Sequence, residues 1–201
     1  MIVPAYKAIF GLGNTGHDYE MTRHNVGQWI FDFINISFPF TWQEKPKLHS
    51  AYSSIVPSEN IGKTFLIKPL GYMNNSGKSV IDLCSYFRIE HLDVLVIHDD
   101  LDLMPGIVKF KFGGGCAGHK GVQNISDFFG HDNFWRLRVG IGHPKNLNLQ
   151  QSVANFVLSP PSDTDTLKIR RGISFCWENF FNCYGKKIDQ VNNLIKIKAD
   201  L

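Results

Sequence analysis

Ala8-Ile9-Phe10-Gly11-Leu12-Gly13-Asn14-Thr15-Gly16-His17-Asp18-Tyr19-Glu20-Met21-Thr22-Arg23-His24-Asn25-Val26-Gly27 is the stretch from which the rest of the chain can be read. A short apolar run enters a long polar loop bracketed by glycines. Beyond it Val26, Trp29, Ile30, Phe33 and Ile34 recur at helical spacing. The pattern predicts a strand over 7–10, a loop, and a helix over 25–36 with Asn25 as its N-cap. His24 then stands at the end of the loop, just before the helix. In open α/β sheets, loops at the carboxyl ends of strands are where ligands bind.

Working outward, two more polar segments follow apolar runs: Lys68-Pro69-Leu70-Gly71-Tyr72-Met73-Asn74-Asn75-Ser76-Gly77 and His98-Asp99-Asp100-Leu101-Asp102. The run Val94-Leu95-Val96-Ile97 is apolar on both faces, as a central buried strand is. Further strands are predicted over 51–56, 64–67, 107–112 and 135–141, and helices over 75–87, 121–129 and 164–184, the last capped by Ser162 or Asp163. In the 135–141 strand, Trp135, Leu137, Val139 and Ile141 point one way and Arg136 and Arg138 the other. No helix separates 94–97 from 107–112, too short a connection for a parallel crossover, so these two are expected to be antiparallel neighbours. The fold class is α/β: one domain over 1–185 around a twisted, mixed, mostly parallel sheet with helices on both faces. Residues 186–201 are expected to form a tail of partial order.

The composition sets bounds. With 43% hydrophobic and 19% charged residues in 201, the chain has a globular balance rather than a disordered one. A net charge of +3 permits an anionic partner without demanding one. Cys84, Cys116, Cys176 and Cys183 form no Cys-x-x-Cys pair, which favours free thiols in a reducing compartment. No apolar stretch approaches the roughly 20 residues of a membrane span, and no signal sequence is evident, so a cytoplasmic location is expected.

Gly11, Gly13 and Gly16 satisfy G-x-G-x-x-G, which raises a dinucleotide-binding oxidoreductase as one reading. Two elements of that motif are missing: the helix does not begin at the glycines, and no acidic residue ends a second strand about 20 residues on. Glycines serving a tight loop are the simpler reading. A phosphate-binding P-loop, a Gly-x-Ser-x-Gly elbow and a His-Glu-x-x-His pair are all absent from the sequence, so no cofactor and no metal are expected. A loop histidine is most often solvated. His24 becomes a candidate general base if a carboxylate after the buried strand orients it, and Asp99 or Asp100 could do so. Those aspartates can equally serve a turn or a helix cap. By spacing alone Asn14, Asn74 and Asn75 read first as left-handed turn residues and second as amide donors to a developing oxyanion. The segment from Gly113 to Gly121 could cradle an anion, with Lys109, Lys111, Lys120, Arg136 and Arg138 around it, or be a mobile loop beside solvated lysines.

Taken together, and in this order, these residues resemble the bacterial peptidyl-tRNA hydrolase family. The resemblance runs to about residue 185. It rests on Gly11-Leu-Gly-Asn-Thr-Gly with Tyr19 and Thr22-Arg-His-Asn25, on Lys68-Pro with Tyr72-Met-Asn-Asn-Ser-Gly77, and on His98-Asp-Asp-Leu-Asp-Leu with Pro105-Gly106. Lys109-Phe-Lys-Phe-Gly-Gly-Gly115, His119, Arg136-Leu-Arg-Val-Gly-Ile-Gly-His-Pro144 and Phe156-Val-Leu158 complete it. The family implies metal-independent hydrolysis of the ester between a peptide and the terminal adenosine of tRNA, by a monomer. Carried over, His24 would activate water and Asp99 would stabilise its charged form. Asn14 and Asn74 would hold the water or the peptide end, Asn74 assisting the oxyanion. Tyr19, Met73 and His119 would line the cleft, and Lys111 and Arg138, with Lys109 nearby, would clamp the 5′-phosphate. Thr15 and Met104 stand where the family has proline. Lys120 replaces an asparagine that helps bind substrate, which implies retained chemistry with an altered grip. A non-catalytic tRNA- or ribosome-binding module is the alternative.

Overall fold

The computed structural model describes residues 1–147 and 149–196. Seven strands form one sheet: β1 (Ala8–Gly11), β2 (Gln43–Lys45), β3 (Ser50–Ile55), β4 (Thr64–Pro69), β5 (Val94–Asp100), β6 (Val108–Phe112) and β7 (Trp135–Gly140). Their order across the sheet is β2-β3-β4-β1-β5-β7-β6. The four central strands β4, β1, β5 and β7 pair in parallel, while β3 on β4, β2 on β3 and β6 on β7 pair antiparallel. Only β3 and β6 therefore run against the rest. The mixed α/β architecture expected from the sequence is the one observed.

The helices α1 (Ile30–Ser37), α5 (Asp163–Glu178) and α6 (Ile188–Lys196) cover one face, and α2 (Ser76–Phe87) and α3 (Lys120–Phe129) the other. A short α4 (Val153–Val157) lies beside the site. Alternation along each strand divides the core in two. Ile9, Leu95, Ile97, Trp135, Leu137 and Val139 pack with Ile30, Ile34, Ile173 and Trp177 on the first face. Ala8, Phe10, Val94 and Val96 pack with Val80, Leu83, Val122 and Ile125 on the second. Every residue of β5 is buried, as its continuous apolar run requires.

Four expectations are corrected. β5 and β6 do run in opposite directions, but β7 lies between them, because α3 carries the chain back to insert β7 beside β5. The helix expected over 25–36 starts as a 3₁₀ segment, Arg23–Gln28, and becomes α only at Ile30. Asn25 does not cap it: its amide holds both backbone groups of Asn14, at 2.9 Å each. The tail is not loose over Ile188–Lys196, where Val191 and Ile195 are buried. The Asn192 amide there pairs with both the N–H and the C=O of Phe110 on β6, at 2.8 and 3.0 Å, which closes an edge that would otherwise be unpaired. Residues 197–201 lie outside the described part. Among the described residues no helix is long and apolar enough to cross a membrane.

The glycines of the opening motif serve packing. A Cβ on Gly11 would lie 2.6 Å from both Gly27 O and the Phe31 ring, and one on Gly13 would lie 2.5 Å from Gln28 Nε2. The protein's own 3₁₀ segment fills the space where a dinucleotide would approach the backbone, which removes the support for the oxidoreductase reading.

Candidate active site

The site lies at the carboxyl end of β5, between the two layers. His24 comes from the 3₁₀ segment after β1, and this segment is fixed from both sides. The Thr22 hydroxyl donates to Tyr19 O at 2.7 Å. The buried Arg23 guanidinium donates to Phe156 O, Ser159 O and Ser159 Oγ at 3.1, 3.1 and 2.8 Å and stacks 3.9 Å from the Phe156 ring centroid. His24 is thereby held against Asp99: Nδ1 lies 2.8 Å from Asp99 Oδ1. With Nδ1 committed to the carboxylate, Nε2 is the nitrogen left to face the cleft.

Asp99 is 3% exposed, and its Oδ1 accepts a second hydrogen bond, from His119 Nε2, also at 2.8 Å. Burial pushes the Asp99 carboxyl up, but His119 and His24 outweigh it and hold the group well below the usual carboxylate range. His24, Asp99 and His119 offer atoms within 4.8 Å of one another, a spacing that could surround a cation. Their hydrogen bonding is of another kind, because both ring nitrogens are aimed at a single oxygen as donors. Behind them His98 donates through Nδ1 to Asp99 O at 2.7 Å, and its Nε2 is buried without a partner among the described residues. Burial drives His98 down to about 3, so it stays neutral.

Asn14 is 6% exposed and its Oδ1 accepts the Met73 N–H at 2.8 Å. That bond fixes the amide, so the NH₂ group is what Asn14 presents to the cleft. Asn74 is exposed at the cleft wall. Neither asparagine, nor Asn75, has a positive φ, so the left-handed turn reading does not hold. Asp99 is a buried strand residue with no turn or cap role, whereas Asp100, at the end of the same strand, does serve a turn: its Oδ1 accepts the Asp102 N–H at 2.9 Å.

These groups line a cleft of about 700 Å³ together with Tyr19, Met73, His119, Lys120 and His143, and with Val153, Val157 and Leu158 as an apolar wall. Tyr19 and Tyr72 meet edge to face at its rim, with centroids 6.5 Å apart. The Met73 side chain is buried and packs where a Cβ on Gly121 would strike its sulfur, so Met73 shapes the cleft floor.

Lys109, Lys111 and Arg138 do not line the cleft. They form a row on the β6–β7 edge, with Lys109 opposite Arg138 and Lys111 opposite Arg136. Like charges directly opposite repel, and the protein answers on one side only. Arg138 binds Asp100 in bidentate fashion at 2.6 and 3.0 Å. Arg136 is buried and donates to Gly114 O and Gly115 O at 2.6 and 3.0 Å, tying the glycine loop to the sheet. Lys109 and Lys111 have no ion pair among the described residues. Sequence reasoning missed Arg23 as an anchor, His98 and His143 as cleft residues, and the Asp100–Arg138 pair. A histidine directly before a helix was the one available sign that His119 had a structural partner.

A mixed α/β sheet that seats a histidine–carboxylate pair under a cleft, with amide groups facing the same space, is an arrangement that fits a hydrolase. The comparisons agree. The peptidyl-tRNA hydrolase family profile matches residues 8–200, and the chain belongs to that family. A peptidyl-tRNA hydrolase of Bordetella avium (strain 197N) is 46% identical over 171 residues, 85% of this chain and 81% of that protein. One from Bordetella petrii is 44% identical over 173 residues, 86% of this chain and 81% of that protein. The crystal structure of peptidyl-tRNA hydrolase from Acinetobacter baumannii superposes with a TM-score of 0.85 at 30% identity, covering 98% of this chain and 97% of that one.

Proposed function

We propose that the protein hydrolyses the ester joining a peptide, or an N-blocked amino acid, to the 3′-terminal adenosine of tRNA, returning free tRNA and a free carboxyl group. The observation that carries this reading is the 2.8 Å bond from His24 Nδ1 to the buried Asp99 carboxylate. It leaves Nε2 as a base facing a cleft large enough for a nucleoside and a peptide end. His24 Nε2 takes a proton from water, and the resulting hydroxide attacks the ester carbonyl. The negative charge on the carbonyl oxygen is met by the Asn74 amide, and the Asn14 NH₂ holds the water or the peptide end. Asp99 stabilises the imidazolium. As the tetrahedral intermediate collapses, the ribose oxygen leaves and takes the proton back from His24, so the residues end as they began.

Tyr19, Tyr72 and the apolar wall of α4 receive the adenosine and the first peptide side chain. Lys109 and Lys111, with no ion partners among the described residues, receive the 5′-phosphate together with the outer edge of Arg138. Such contacts position any tRNA without reading its sequence. Lys120, on the first turn of α3, faces the cleft with a cation where the family pattern has an amide. The site is complete within one chain, which fits action as a monomer. Four free thiols fit a cytoplasmic setting.

The test is release of N-acetyl-amino acid from N-acetyl-aminoacyl-tRNA without added metal or nucleotide. Wild type should turn over, and His24→Ala should fall by about 10² to 10⁴. Folded wild-type protein that binds tRNA and releases nothing would replace this reading with that of a non-catalytic RNA-binding module.

A further inference from the structure

His119 is the N-cap of α3. Its Nδ1 accepts from the Gly121 and Val122 N–H groups at 3.2 and 3.3 Å. A nitrogen that accepts from two backbone amides carries no proton, so the ring proton resides on Nε2 and is donated to Asp99 Oδ1. Protonating the ring would set a third N–H against those two and place positive charge at the positive end of the helix dipole. The cap and the carboxylate thus fix the ring's orientation and favour one tautomer. His24 donates to the same oxygen at the same 2.8 Å. One carboxylate oxygen therefore serves two rings: His24, the base of the proposed reaction, and His119, whose other nitrogen is taken up by the cap of α3.

We infer that His119 is a positioning residue that tunes His24 as a base: by occupying Asp99 Oδ1 it draws off part of the charge that would otherwise stabilise the His24 imidazolium. The purpose of this tuning rests on the hydrolytic reading above. A base needs its carboxylate for orientation, yet too strong a pairing would keep it protonated near neutral pH, where it must be free to accept a proton. A second donor of fixed orientation on the shared oxygen keeps the geometry and weakens the pairing.

Other charged or titratable groups near the pair do not perform this task. From β5, His98 binds the backbone carbonyl of Asp99 and Asp100 binds Arg138 of β7. Arg23 of the 3₁₀ segment turns away to Phe156 and Ser159. Tyr19, Cys116, Lys120, Asp102 and His143 line the cleft around the pair without a hydrogen bond to the Asp99 carboxylate among the described residues.

Two variants separate the two jobs of the ring. His119→Asn keeps an oxygen that can cap α3 and removes the donor to Asp99. His119→Gln can keep an N–H directed at Asp99 and gives up the cap. In the full chain with ¹⁵N-labelled histidine, long-range proton–nitrogen spectra report the tautomer and titration midpoint of each ring. In wild type His119 should be the Nε2–H tautomer throughout about pH 5 to 8, the range in which free histidine titrates. In His119→Asn the His24 midpoint should rise by about half a unit or more, and in His119→Gln it should stay near wild type. The acid limb of kcat/KM should move with the midpoint. A purely structural His119 would shift melting temperature without shifting that midpoint. A protonated or Nδ1–H His119 in wild type, or an unmoved His24 midpoint in folded His119→Asn, overturns the inference. The tautomer is read on the unaltered chain and needs no turnover, so an inactive wild type would refute the hydrolytic reading and leave this test standing.

Discussion

The two faces of the sheet use the same strands and end differently. On the face of α1, α5 and α6 the apolar layer continues to the last edge, through Trp135, Leu137 and Val139 of β7 to Val108 and Phe110 of β6. On the face of α2 and α3 it stops at β5, because the alternate residues of β7 and β6 are Arg136, Arg138, Lys109 and Lys111. One alternation thus supplies core on one side and a row of cations on the other. The cleft opens near the place where the second layer gives out, and Asp100 joins the two by holding Arg138 one residue away from Asp99. Apolar packing and exposed positive charge thus lie on opposite sides of the same two strands.

Substitutions should respect that division. Phe180 on the first face is fully buried among Tyr6, Phe110, Trp177 and Tyr184, with ring centroids 5.4 to 6.2 Å away. Phe180→Ala should cost about 3 to 5 kcal/mol of unfolding free energy in urea while the kcat of the folded fraction stays near wild type. A kcat that fell in step with stability would break the division.

His98 gives an intermediate effect with a defined sign. Its folded pKa, about 3, lies below the ordinary 6.5, so the unfolded chain binds this proton first. The folded state loses stability as pH falls from about 6.5 toward 3 and gains nothing from this group above 6.5. Asp99 acts lower, since its contribution is full above the ordinary carboxylate value of 3.8 and is lost only below it. Melting temperatures at about pH 5 and 7.5 therefore isolate the histidine. His98→Gln should be less stable than wild type at the higher pH and close part of that gap at the lower one. An equal gap at both would show that His98 is charged in the fold.

The smallest effects belong to the lysine row. Lys109→Ala and Lys111→Ala should each raise KM for peptidyl-tRNA a few-fold and reduce the slope of log affinity against log salt by about one. Melting temperature and kcat should hold. Unchanged salt dependence would place the phosphate elsewhere.

What could be read from the sequence follows the range of the interactions. β5 was legible because burial on both faces makes a continuous apolar run. β7 was legible because burial on one face makes strict alternation, although the burial of Arg136 under the glycine loop was not. The insertion of β7 between β5 and β6 was not legible, since no local pattern records which strands a crossover separates. The sequence pattern offered Asp99 or Asp100 as the carboxylate for His24, and the choice of Asp99 came through the family resemblance, because the two residues are 75 positions apart. Asn25 was misread because an asparagine before a helix is usually a cap, and its true partner, the Asn14 backbone, lies across a loop whose shape is a tertiary fact. The tail's helix was missed because its apolar stripe, Ile188, Val191 and Ile195, is short and set among polar residues, and its second anchor, the Asn192 amide on the Phe110 backbone, is a tertiary contact.

That last contact bears on how the molecule is made. β6 carries the lysines and pairs as a strand on one side only, with β7; on its other side, among the described residues, the Phe110 backbone is bonded by the Asn192 amide. During synthesis, where domains form from the amino end, the sheet and the His24–Asp99 pair can assemble while the lysine strand is still an open edge. That edge stays exposed to pairing with other nascent chains until nearly two hundred residues have emerged. A chain stalled before that point would hold the His24–Asp99 pair and lack the Asn192 contact, which makes truncated copies the ones expected to aggregate.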